Sequence, residues 1–149
     1  MKLKTILFPI CAALALAACE TTPTQSQLAK AKVKESGAPQ LSAEEVRQVL
    51  TGNSISGRGE KMEWTIYYQD GTMLGHAWGD GRDEKDNGVW NITESGKYCR
   101  TWNVKWGGGK KRCSKLYKTG EDELVFMSTD GSNSHDTATV TPGNTFNLE

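Results

Sequence analysis

The chain has 149 residues and a formal net charge of +0, with 18 basic and 18 acidic side chains. That length accommodates one modest domain. The balanced charge excludes a protein that captures nucleic acid through global electrostatics, so no nucleic-acid partner is expected.

The N-terminus reads as a targeting signal. Lys2 and Lys4 precede an apolar run over residues 6–16 that is too short to span a bilayer stably. Leu16-Ala17-Ala18-Cys19 resembles the lipobox of bacterial lipoproteins. The resemblance implies removal of residues 1–18, with Cys19 lipidated on sulfur as the new N-terminus. Small Ala17 and Ala18 let a peptidase approach the backbone, and a thiolate is a suitable nucleophile for taking up a diacylglycerol. Each buried acyl CH₂ adds about 0.8 kcal/mol, so two or three chains would anchor the protein firmly. Glu20 is not the aspartate associated with inner-membrane retention, which favours the outer membrane. Cys11 lies inside the apolar run and would leave with it. Removal also takes away Lys2 and Lys4 and no acid, so the formal charge falls from +0 to −2.

Residues 19–40 are expected to be a lipidated flexible tether. They are rich in Thr, Gln, Ser, Lys and Pro and carry no aromatic residue, so they bury too little apolar surface to offset ordering. Within them, residues 28–34 suit a transient helical turn or two. The domain, residues 41–149, opens on a helix signal. Ser42 caps, Glu45 completes a capping box, Leu41 and Val46 fit a hydrophobic staple, and Gly52 supplies a stop.

The period then changes to two. Met62, Trp64, Ile66 and Tyr68 share one face of a strand, Asp70-Gly71 marks a hairpin, and residues 72–78 return. Residues 80–88, DGRDEKDNG, are expected to be a polar loop. Its acids lack the spacing and closing glutamate of an EF-hand. Further strands are expected over residues 89–93 and 123–129, with weaker candidates at 138–141 and 145–148. Short strands at this spacing argue for a mainly β fold, a small antiparallel barrel or sandwich, lipocalin-like in outline, preceded by one short helix.

The segment 97–117, KYCRTWNVKWGGGKKRCSKLY, holds Cys99 and Cys113. An even pair in an exported protein favours a disulfide, because the envelope outside the inner membrane is oxidising. Opposed cysteines would place the turn near Trp106 and Gly107, where three glycines supply freedom. Trp102 and Trp106 share strand parity with Tyr98 and Val104, and Lys105, Lys110, Lys111, Arg112 and Lys115 surround the turn. Trp102, Trp106, Lys110, Lys111 and Arg112 are therefore the candidate ligand-binding residues, for an anionic glycan, lipid A phosphates or an acidic envelope protein. The alternative makes the aromatics core and the lysines guards of a solvated edge, and it is preferred, since exposed lysines commonly blunt edges.

No catalytic residues are assigned. The sequence has no nucleophile elbow, paired-histidine metal motif or phosphate-cradling glycine loop, and His76 and His135 stand far from the cysteines. A non-enzyme without cofactor or metal is expected. Asn91-Ile92-Thr93 matches a glycosylation sequon but carries little meaning in a bacterial lipoprotein.

The segments LSAEEVRQVLTGN, WTIYYQDGT, NGVWNITESGKYCRTW and LVFMSTDG together resemble small exported proteins of the domain-of-unknown-function 995 type. That resemblance implies a similar exported β-domain and supplies no catalytic residues. Ser95-Gly96-Lys97-Tyr98 resembles, with a shorter spacing, the Ser-Gly…Tyr motif of membrane-bound lysozyme inhibitors. The leading expectation is an outer-membrane-anchored lipoprotein with a binding or accessory role in the envelope. An inhibitor of lysozyme-type muralytic enzymes is the alternative.

Overall fold

The structure is a computed structural model that describes residues 22–59, 61–132 and 134–149. The signal segment, the lipobox and Cys19 lie outside the described residues. Among the described residues the order is α1 (Gln25–Ser36), α2 (Ala43–Leu50), β1 (Asn53–Arg58), β2 (Glu63–Tyr68), β3 (Thr72–Gly79), β4 (Arg82–Ile92), β5 (Tyr98–Trp102), β6 (Arg112–Lys118), β7 (Glu123–Ser128) and β8 (His135–Pro142). Each strand pairs antiparallel with the next, and β1 pairs with β8, so the sheet closes into a barrel without edges.

Register assigns the inward faces. Ile55 pairs with Ile66 and Val140, Tyr68 with Met73, Leu116 with Phe126, and Leu124 with Ala138. These residues form the core with Trp90, Tyr98 and Trp102. Tyr68 stands edge-on to Trp90 and Tyr98 at 5.5 and 5.9 Å between ring centroids, and Tyr98 stands edge-on to Phe126 at 5.7 Å. Such edge-to-face pairs contribute about 0.5–1.5 kcal/mol beyond the area they bury.

The helix α2 forms as its sequence dictates. The Ser42 side chain accepts from Glu45 N, and Glu45 accepts in return from Ser42 N. Hydrogen bonds from Ser42 N and from the Ser42 hydroxyl to its carboxylate hold Glu45 below its ordinary value. Val46 and Leu50 are fully buried, joining the Tyr68 end of the core and closing that end of the barrel.

Three expectations need correction. Residues 80–88 are not a loop. Asp80-Gly81, both at positive φ (49° and 75°), form a two-residue turn, and Arg82–Ile92 is one long strand paired along its length with β3. The ladder satisfies the backbone whatever the side chains, so charge content did not prevent a strand. Second, the expected tether contains α1, capped by a Thr24–Gln27 capping box and ended by Gly37 in the left-handed region. It lies over β7 and β8, where Ala29 is fully buried and Lys32 pairs with Glu123. Val125 and His135 face outward from the barrel yet are buried, as a covering helix requires. Third, residues 145–148 are not a strand. The Asn144 side chain bonds Leu148 at both N and O, tucking Leu148 against the domain at 5 % exposure. The strand β1 had no counterpart among the sequence expectations.

Candidate functional site at the open barrel end

At the end opposite α2 the barrel opens into a cavity of about 290 Å³. Its walls are Met62, Trp64, Ile66, Ala77, Arg100, Trp102, Trp106, Gly107, Lys110, Arg112 and Asp136. Each enters by a definable route. On β2, Trp64 and Ile66 occupy the inward parity expected for them, and Met62 continues it. Ala77 faces Trp64 across β2 and β3, and Gly57 faces it across β1 and β2. A Cβ at Gly57 would stand 2.2 Å from the Trp64 ring, so glycine is what lets this indole lie against β1.

The hairpin β5–β6 delivers the basic and aromatic groups. Cys99 and Cys113 are direct register partners joined as a disulfide, which ties the hairpin below its turn. Beyond it, Arg100 pairs with Arg112 and both line the cavity, Arg112 at its exposed rim. Trp102 is buried and its ring meets Trp106 at 4.5 Å between centroids, at 61°. Both indoles press on Gly75, where a Cβ would lie 2.6–2.8 Å from their carbons. The turn carrying Trp106 is fixed from β4. The Asp86 carboxylate accepts hydrogen bonds from Lys105 N and Trp106 N, each at 2.9 Å. Gly107, Gly108 and Gly109, all at positive φ, complete the turn.

Electrostatically the cavity floor is a polar cluster inside an aromatic core. The Tyr68 and Tyr98 hydroxyls share a 2.8 Å hydrogen bond, and Tyr98 also donates to Met73 Sδ at 3.7 Å. Burial pushes both phenols up, with Arg100 pulling them the other way. Burial opposes the charge of Arg100, but the Tyr98 and Tyr68 oxygens and the Asp136 carboxylate outweigh it, so its ordinary value is raised. Arg100 is therefore a permanent cation set inside the barrel. Arg112 sits near Asp130, whose carboxyl is held well below its usual range by hydrogen bonds from Ser128 and Ser132.

Four of the five candidate binding residues meet in this cavity: Trp102, Trp106, Lys110 and Arg112. Lys111 is exposed and does not line it. The two sequence readings of the hairpin thus merge, since Trp102 is both core and cavity wall. Val104, expected on the aromatic face, is instead 71 % exposed. Sequence reasoning missed Arg100, Asp136 and Asp86. The signal for Arg100 was available, since it shares parity with Tyr98 and Trp102. Tyr98, the tyrosine of the Ser95-Gly96-Lys97-Tyr98 motif, is 1 % exposed and belongs to the barrel interior. Among the described residues no three His, Cys, Asp or Glu side chains group as metal ligands.

No protein-family model, curated protein or solved structure matches the chain.

Proposed function

We propose that the protein is a lipid-anchored, non-enzymatic component of the bacterial envelope, held through Cys19 in the outer membrane, and that it binds a ligand at the open end of its barrel. The observation that carries the binding reading is the cavity at that end, walled by Trp64, Trp102 and Trp106 and furnished with Arg100, Lys110 and Arg112. Concave, mostly apolar sites with a few convergent polar groups are the usual form of small-molecule sites. The lipobox supports the anchor, and a disulfide-tied hairpin suits an oxidising compartment.

Two experiments test this reading. Cys19→Ala should abolish lipid labelling and membrane association, and persistence of both would defeat the anchor. Native mass spectrometry of the protein released from membranes should show a bound adduct that Trp106→Ala diminishes. An adduct spectrum identical in the two proteins would count against the cavity as the site.

A further inference from the structure

We propose that the barrel mouth takes a monocarboxylate with a flat, apolar body of about ten carbons, its carboxylate on Arg100 and its body between Trp64 and the Trp102–Trp106 pair. The inference rests on the mouth being the binding site and adds the chemistry of its occupant.

Size sets the first limit. The cavity of about 290 Å³ lies at the small end of ligand pockets, which run from about 300 to 1,000 Å³. A site at that end of the range suits a small occupant, of roughly a dozen heavy atoms, over a drug-sized one. Shape sets the second. Indole walls favour a planar apolar body, and the Trp102–Trp106 pair is fixed by Gly75 beneath it and by Asp86 on the Trp106 backbone.

Charge sets the third. Three cations, Arg100, Lys110 and Arg112, line the cavity against one acid, Asp136. An anion is therefore favoured. Arg100 has five N–H donors, and the groups that face it are the Tyr68 and Tyr98 hydroxyls and Asp136. It retains donor capacity toward the cavity, and its planar fork matches a carboxylate. The Asp136 carboxylate in the wall and Asp130 beside Arg112 would repel the second charge of a phosphate monoester. These acids select a single negative charge.

The test titrates the full chain with three probes sharing one ring system: 2-naphthoate, neutral 2-naphthamide and 2-naphthyl phosphate, read by calorimetry and tryptophan emission. A hydrogen bond to a charged group is strong enough to predict naphthoate binding at least about tenfold tighter than the amide. The phosphate should bind more weakly than the carboxylate. Arg100→Gln should erase the preference for the acid over the amide. Because Arg100 supports Tyr68 and Tyr98, that variant is paired with Lys110→Gln/Arg112→Gln, two exposed positions, which should cut the preference several-fold. Equal binding of acid and amide would overturn the anion assignment while leaving the mouth as a binding site. Equal or tighter binding of the phosphate would overturn the single-charge assignment. Absence of binding by all three at millimolar concentration would overturn the inference, whereas the broader reading fails only if the native adduct ignores Trp106→Ala.

Discussion

Gly75→Ala tests the architecture of the site with a single methyl group. A Cβ on Gly75 would stand 2.6 and 2.8 Å from two Trp106 ring carbons and 2.7 Å from one of Trp102. Ordinary carbon contacts are about 3.5–4.0 Å, so both indoles must retreat by about 1 Å. The Trp102 ring belongs to the packed core, and the Trp106 turn is held by Asp86, so neither ring moves freely. Inserting a methyl group into such packing typically costs about 1–3 kcal/mol. Chemical denaturation would read that loss, and near-ultraviolet circular dichroism would report the changed Trp102–Trp106 geometry. In a Trp106→Ala background the same substitution should cost less, since two of the three close contacts are gone. Stability within about 0.5 kcal/mol of the parent, an ordinary surface value, with an unchanged aromatic spectrum would refute the placement of the indole pair over Gly75.

Other outcomes follow from the same packing. Replacing Cys99 and Cys113 by serine, which opens a bridge of sequence separation 14, should lower unfolding free energy by about 3 kcal/mol, measured by urea titration. His135 should make the domain acid-sensitive. Burial, with Lys30 nearby, lowers its pKa against the opposing pull of Asp136 and Asp130, and its Nδ1 accepts from Ser128 N at 3.1 Å. The unfolded chain therefore binds the proton more readily, so His135 contributes stability above the unfolded value near 6.5 and loses it as pH falls below. Thermal melts across that window should flatten in His135→Gln, and an unchanged pH slope would contradict this. Ala29→Asp, at a fully buried contact under α1, should raise amide exchange across Gln25–Ser36 while leaving β2 and β3 protected.

Much of the barrel was legible because alternation and turn chemistry agree at particular residues. Trp64, Ile66 and Tyr68 announce the inward face of β2, Asp70-Gly71 its hairpin, and Cys99 opposite Cys113 the register of β5 and β6. The missed elements share a physical cause. In β4 the inward positions Glu84 and Asp86 are acids, so polarity suggested solvent. The strand is imposed by its β3 partner, and Asp86 is satisfied by a turn distant in sequence. The helix α1 was masked by composition, although Thr24, Gln27 and Gly37 are local capping signals and only Ala29 is buried. In the site, Trp102, Trp106, Lys110 and Arg112 were legible as one segment. Asp136 reaches the same cavity from β8 only because β1 closes the ring.

The central claim is that the open end of the barrel binds a ligand, and the indole N–H resonances of the five tryptophans test it most directly. Trp64, Trp102 and Trp106 line the cavity. Trp90 donates its indole N–H to Gln69 O and Thr72 O at 2.8 and 2.9 Å, and Trp78 packs at a 42° tilt against His76 and does not line the cavity. Titration with 2-naphthoate should shift the signals of Trp64, Trp102 and Trp106 together and saturably, and leave Trp90 and Trp78 in place. Saturable shifts confined to Trp78 or Trp90 would contradict the account, and the absence of any saturable shift would overturn the carboxylate occupant.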